Sequence, residues 1–362
     1  MTVRLLEGSE AIAEAMVAAG CRFFAGYPMT PFTEVLEQMA ARLPAVGGVC
    51  MNAESELEAV GMTWGAAAAG VRAATGSVGQ GLSLMQESLS EMTFARLPAV
   101  ILNMARGQGD YFQATRGGGH GDYRHIVLAP CDVREAVELV QLAFHLADEW
   151  RNPVMFMGDY YLAHVQETVE VKRIDFGPVA EKSWALDGST SGSGNARIVS
   201  PIVPTKRGAG VYLNYGQYLE TIGERVRLMA EGVTPMVETL FCDDAELIVA
   251  AYGTPARIVR YVVSQLRAEG LKVGFVRPIT LWPFPEEAVF RATRSARKVV
   301  VYELNTGQMF DDIRLAVRDR DIQFIGGVSY DLDGFGIAPA LTPNNVALRI
   351  REALSSISRE IA

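Results

Sequence analysis

The chain has 362 residues, a formal net charge of −9, 49% hydrophobic residues and 21% charged ones. That length supports two domains with full hydrophobic cores, and the composition is that of an ordinary globular protein. An acidic chain without a Lys/Arg cluster is a poor partner for nucleic acid or an anionic membrane, and its longest apolar runs, such as 97–105, fall far short of the roughly 20 residues of a membrane helix.

The opening segment carries Glu residues inside an apolar pattern, which reads as a helix and not as a signal peptide. Ser9 is expected to cap that helix, Ile12, Ala13, Met16 and Val17 to share its buried face, and Gly20 to end it. A short apolar strand over 22–25 stops at Gly26-Tyr27-Pro28. Helices are expected over 31–43, 54–70, 82–96 and 133–150, with strands at 71–75, 99–104 and 154–157. Continuous apolar runs of this kind mark buried parallel strands. Their alternation with helices implies an α/β, doubly wound sheet covered on both faces, whose ligands gather at the carboxyl ends of the strands.

From 167 to 210 the pattern dissolves, and the Gly/Ser-rich stretch 187–195 reads as a flexible connector. A helix over 217–229 leads into a second α/β unit with strands at 246–252, 272–276 and 298–303. Thr254 and Pro255 are expected to start its first helix and Gly270 to close it. The expected division is a first domain over 1–165, a linker of irregular and helical segments over 166–235, and a second domain over 236–362. Four scattered cysteines, Cys21, Cys50, Cys131 and Cys242, form no closely spaced pair. That argues against a zinc or iron–sulfur site housed in this chain and fits a reducing, cytoplasmic setting.

Four segments can carry chemistry. In Tyr27-Pro28-Met29-Thr30-Pro31 two prolines stiffen a strand-end loop, so Thr30 either presents a hydroxyl in a set direction or caps the next helix. Glu54, Glu56 and Glu58 open a helix: Glu54 and Glu58 are neighbours at i,i+4, whereas Glu56 continues into an apolar face through Ala59, Val60 and Thr63. A carboxylate on such a face is paired or perturbed; the plainer alternative is that all three favour the positive helix end. The loop 75–81, with Gly76, Gly79 and Gly81, lets backbone approach a ligand, but it lacks the lysine of a phosphate-binding loop and does not match the dinucleotide fingerprint. Finally, Arg106 follows a strand directly, well placed to hold a carboxylate. Beyond it lie Arg116, His120, Asp122 and His125, whose spacing fits no zinc pattern and reads as a polar loop.

Taken together and in this order, these segments resemble the 2-oxoacid:ferredoxin oxidoreductases. The likeness rests on Tyr27-Pro28-Met29-Thr30-Pro31, on Glu56, on the turn and helix of 75–87, on Arg106, and on 277–285 and 303–308 in the second unit. The stretch 113–124 is close to the branch handling branched-chain 2-oxoacids and 2-oxoglutarate. The resemblance implies a thiamine diphosphate-binding, pyrimidine-type domain followed by a transketolase C-terminal-like domain, in the alpha-type subunit of the enzyme. It implies that Glu56 hydrogen-bonds the cofactor's aminopyrimidine ring, with Tyr27, Pro28, Gly79 and Gly81 lining that site. Thr30 and Arg106, with Arg116 and His120 nearby, would then bind a 2-oxoacid that is decarboxylated to an acyl-CoA.

The family's magnesium motif, glycine-aspartate-glycine with a downstream asparagine, is not matched by Gly158-Asp159-Tyr160 or Leu332-Asp333-Gly334. No metal is therefore expected in this chain. Mg²⁺, the diphosphate half-site and the [4Fe-4S] clusters are expected in a beta-type subunit and further gamma and delta subunits, with ferredoxin as acceptor. Two departures stand out. Gln80 occupies a position where the family places proline, and the loop after Arg106 is shorter, so either Arg106 or Arg116 holds the carboxylate. The competing readings are a beta-type subunit of a lipoamide-dependent dehydrogenase and a non-catalytic assembly subunit.

Overall fold

The computed structural model describes residues 3–186, 215–327 and 341–359, so the 187–195 connector and Leu332-Asp333-Gly334 lie outside the described residues. The first part of the chain runs β1 (Arg4–Glu7), α1 (Gly8–Ala18), β2 (Phe23–Gly26), α2 (Thr33–Arg42), β3 (Val49–Asn52), α3 (Glu56–Ala68), β4 (Ala73–Ser77) and α4 (Gly79–Phe94). It continues through β5 (Ala99–Ala105), α5 (Tyr111–Thr115), β6 (Ile126–Leu128), α6 (Val133–Trp150), β7 (Pro153–Asp159), α7 (Tyr160–His164) and β8 (Gln166–Val169). Then come α8 (Tyr215–Gly232), β9 (Val237–Leu240), β10 (Leu247–Ala250), α9 (Gly253–Ala268), β11 (Val273–Pro278) and β12 (Thr280–Trp282). The chain ends with α10 (Glu286–Thr293), β13 (Lys298–Val301), α11 (Gln308–Val317), β14 (Asp321–Phe324) and α12 (Pro343–Arg359).

The larger sheet has seven strands in the order β12-β6-β7-β5-β4-β2-β3, parallel except for β12. Its middle strands are apolar without alternation because both faces are covered. Val100, Leu102 and Met104 of β5 point into one core with α1, α2 and α6, while Ala99 and Ile101 point into another. The helix α6 shows how such a layer is made. Asp132 caps it by accepting from the Glu135 N–H at 2.9 Å, its stripe Val133, Val137, Val140 and Phe144 is buried, and Arg151 ends it in a left-handed conformation. The smaller sheet has five strands in the order β14-β13-β10-β11-β9, parallel except for β9.

The two sheets are tied together. Strand β12 leaves the second unit and pairs antiparallel with β6 of the first sheet. One core holds Ile101, Tyr111 and Met155 together with Ile248, Val276 and Val299. Arg277, 3% exposed, donates to both Glu135 oxygens at 2.7 and 2.8 Å and to Glu238 at 2.7 Å.

Two expected caps are corrected. Helix α1 starts at Gly8, because β1 pairs with β8 and the Gly8 N–H already donates to Val165 O at 3.0 Å, so Ser9 lies buried in the first turn. Helix α9 starts at Gly253, and the Thr254 hydroxyl donates instead to Asp159 Oδ1 at 2.9 Å. Strand β8 also lies inside the stretch expected to be linker.

Candidate functional site

Strands β2, β4 and β5 are neighbours and end together, Gly26 level with Gly76 and Ser77 level with Asn103. The Tyr27–Pro31 loop, the turn into α4 and Arg106 therefore meet at one edge of the sheet, beside the start of α3. This is where open α/β sheets present ligands.

The three glutamates at that start sort themselves by hydrogen bonding. Ser55 is the N-cap and accepts from the Glu58 N–H at 3.3 Å; Glu58 reaches back and accepts from the Glu54 N–H at 2.9 Å. Glu54 and Glu58 are exposed, which leaves Glu56 turned inward at 3% exposure. Its Oε1 accepts from the Ser77 hydroxyl at 2.8 Å, the one hydrogen bond to this carboxylate among the described residues. Gly81 roofs the pair. A Cβ there would stand 2.1 Å from Ser77 Oγ and 2.3 Å from Glu56 Oε1, so α4 comes this close only because position 81 has no side chain.

Thr30 and Arg106 are brought together. Arg106 Nε donates to Thr30 O at 3.1 Å, and its two terminal nitrogens make no hydrogen bond or ion pair among the described residues. Thr30 does not cap α2: the turn closes on Met29 O, which accepts from the Phe32 and Thr33 N–H groups at 2.7 and 3.2 Å. Tyr27 is half-buried and Pro28 exposed on the same loop.

Sequence reasoning missed two members of this edge. Ser77 lay within a recognised small-residue loop, but its bond to Glu56 spans 21 positions. Asp110 faces Gly79, where a Cβ would meet its Oδ1 at 2.4 Å, and it accepts from Asn103 at 3.1 Å and Gln113 at 3.3 Å. Burial outweighs those donors and raises its carboxyl above the usual range. An acid followed by aromatic residues in a loop carried no local signal.

Arg116 and His120 are not brought to Glu56. Arg116 donates to both Asp312 oxygens at 2.8 and 2.7 Å, with its guanidinium 4.8 Å above the Phe112 ring. The His120 ring lies 3.0 Å from Glu91 Oε1 and 3.2 Å from Ser90 Oγ, on α4. Asp159 accepts from the Leu162 N–H at 2.8 Å and so caps α7. Among the described residues no group of three or more His, Cys, Asp or Glu is placed to hold a metal ion.

His125 is buried against Thr93, its Nε2 3.2 Å from Oγ1, and burial pulls its pKa down to about 4 from 6.5. With the folded value below the unfolded one, acidification from about 6.5 towards 4 protonates the unfolded chain first. Stability falls across that window by up to ~3 kcal/mol, with nothing further lost below it. His125→Leu should therefore lose less melting temperature than the wild type between pH 7 and 4; equal losses would show that His125 is not held neutral.

Two cavities of about 620 and 600 Å³ lie elsewhere, one bounded by Arg116, Trp282 and Asp312, the other by Tyr160, Tyr161 and Arg257. Glu56, Thr30 and Arg106 line neither. On the surrounding elements β3, α3 and α4, Met51, Leu57 and Leu84 are exposed by 40, 52 and 55%.

Comparison with known proteins shows the family. The family model for the thiamine diphosphate-binding domain of pyruvate flavodoxin/ferredoxin oxidoreductase matches residues 14–184, and that for the pyruvate:ferredoxin oxidoreductase core domain II matches 245–334. The chain is 36% identical to the ketoisovalerate oxidoreductase subunit VorB of Methanothermobacter thermautotrophicus over 345 residues, 92% of this chain and 95% of the relative. It is 34% identical to the 2-oxoglutarate synthase subunit KorA of the same organism, covering 85% of this chain and 89% of the relative. Among solved structures it is similar to a 2-oxoglutarate:ferredoxin oxidoreductase from Magnetococcus marinus with 2-oxoglutarate, coenzyme A and succinyl-CoA bound. That match has a TM-score of 0.82 and 27% identity over 97% of this chain, which spans 65% of the other. A split-gene transketolase, 12% identical with a TM-score of 0.58, shares the fold. By these matches the chain belongs to the 2-oxoacid:ferredoxin oxidoreductase family, among the subunits that carry its thiamine diphosphate-binding domain.

Proposed function

We propose that this chain supplies the pyrimidine-binding half of a thiamine diphosphate site in an enzyme that oxidatively decarboxylates a 2-oxoacid to its acyl-CoA. The carrying observation is Glu56: a buried carboxylate fixed through one oxygen by Ser77, roofed by Gly81, with its other oxygen unclaimed among the described residues. That free acceptor fits an aminopyrimidine, whose protonated ring nitrogen carries one N–H that needs a single acceptor in a water-poor slot. When bound, thiamine diphosphate supplies a carbon nucleophile for the keto group and an electron sink for the departing CO₂.

Glu56 would accept a hydrogen bond from the protonated ring nitrogen and offset its charge. Gly79 and Gly81 let α4 close down on Asp110 and on the Glu56–Ser77 pair, which keeps that carboxylate in place beside the ring, and Tyr27 and Pro28 would border it. The terminal nitrogens of Arg106 take the 2-oxoacid carboxylate in two-point fashion, and the Thr30 hydroxyl, on the loop Arg106 steadies, orients the keto oxygen. Arg116 is left out of this reading because Asp312 already fills its guanidinium.

The edge is half a site. A beta-type subunit would close over it, bringing the diphosphate grip and Mg²⁺, and partner subunits, gamma and delta subunits among them, would hold the [4Fe-4S] clusters, with ferredoxin as acceptor in the cytoplasm. The division at 1–165 and 236–362 is proposed on the same footing, supported by the five-stranded sheet, which lies wholly within the second stretch, while β12 of that stretch reaches across to the first sheet.

The test uses the complex assembled with its partner subunits. Dye reduction by a 2-oxoacid that needs coenzyme A and no lipoamide supports the reading; strict dependence on lipoamide refutes it. Arg106→Gln, which removes a charged two-point contact, should raise the 2-oxoacid KM roughly 10–100-fold and leave that for coenzyme A unchanged. A rise confined to coenzyme A would show the carboxylate assignment to be wrong.

A further inference from the structure

We infer that Gln108 is a positioning residue through which the second sheet sets the Arg106 guanidinium, and with it the 2-oxoacid; this rests on the reading of Arg106 above. Gln108 stands two residues beyond Arg106 and is 4% exposed, and all its polar groups bond to two neighbouring loops of the other sheet. From the loop after β10, Tyr252 O accepts from Nε2 at 2.9 Å and the Tyr252 hydroxyl donates to the Gln108 carbonyl at 3.2 Å. From the loop after β13, the Leu304 N–H donates to Oε1 at 2.8 Å, Asn305 Nδ2 donates to the same carbonyl at 2.8 Å, and Leu304 O accepts the Gln108 N–H at 3.3 Å.

The segment that follows is held from the same side. Gln308 donates to Gly109 O at 2.8 Å and accepts the Phe112 N–H at 2.8 Å, while Asp312 accepts from both Tyr111 and Arg116. Arg106 is thus fixed at two ends: its side chain by Thr30 on the first sheet, and its onward backbone by the second. With only Gly107 between Arg106 and the anchor, a shift of Gln108 moves the guanidinium directly. A buried glutamine serving stability alone would give the same hydrogen bonds, so the experiment must separate the two roles.

Gln108→Ala and Gln108→Met, the second keeping the side-chain volume, are compared in the assembled complex with Arg106→Gln and with Arg277→Lys. Arg277→Lys loosens another tie between the sheets, away from this loop. Both Gln108 variants should raise the 2-oxoacid KM about tenfold with the coenzyme A KM unchanged, a misplacement effect. Arg277→Lys should lower the melting temperature and leave the 2-oxoacid KM alone. A 2-oxoacid KM unmoved in both Gln108 variants, or raised equally by Arg277→Lys, overturns the inference. If Arg106→Gln moves that KM and Gln108 does not, this inference alone fails. If Arg106→Gln leaves it unmoved, the reading of the site fails and takes this one with it.

Discussion

Glu56→Gln should slow turnover of the assembled complex by at least ~100-fold, the range expected for removing a proton-transfer group, with the chain still folded. Glutamine has the volume of glutamate and can keep the bond from Ser77, so the helix start, the Ser55 cap and the packing under Gly81 all persist. Only the charge that stabilises a protonated ring is lost. The measurement is kcat together with thiamine diphosphate binding on the same preparation. Binding within about tenfold of the wild type and a collapsed kcat separate a chemical role from a merely structural one. A non-catalytic assembly subunit would show no change in either. Activity retained within tenfold would remove Glu56 from the mechanism and leave the site without its carrying residue.

Much of the architecture is legible in the sequence because β5 and β7 are buried on both faces, which forces unbroken apolar runs bounded by polar loops. The short strands β1, β3 and β8 escape notice for the opposite reason: each is half-exposed or at an edge, so its composition is mixed. Site residues divide along the same line. The loop holding Tyr27 and Thr30, the glycines 79 and 81, and Arg106 are visible because a strand end followed by a rigid or small-residue loop is a local pattern.

Which glutamate turns inward is only half visible. The i,i+4 rule pairs Glu54 with Glu58, but it takes the Ser55 cap to show that Glu58 folds back on the helix start and Glu56 turns inward. The pairing of Arg116 is not legible because its partner Asp312 lies 196 positions further on, in a helix of the other sheet. Gln108 is invisible for the same reason: its partners Tyr252 and Leu304 become neighbours only when the two sheets dock.

Gly81→Ala should approach the loss of Glu56→Gln, roughly 100-fold in turnover, by a different physical route. Propensity alone points the other way, since alanine for glycine inside a helix is worth ~1 kcal/mol. Geometry decides it. The new methyl would sit 2.1 Å from Ser77 Oγ and 2.3 Å from Glu56 Oε1, far inside any real contact. The helix has little freedom to shift, because its Leu82 and Met85 are wholly buried in a core shared with Val60 and Ala67 of α3. Ser77 can rotate, but the carboxylate must swing off its acceptor position. The melting temperature should then stay within about 5 °C of the wild type, the propensity gain offsetting part of the strain. Because both substitutions act on one group, the double variant should be hardly slower than either single one, a clear failure of additivity. Losses that multiplied would mean that Gly81 matters for something other than Glu56. A fully active Gly81→Ala would mean that the buried acid need not stand where the structure puts it.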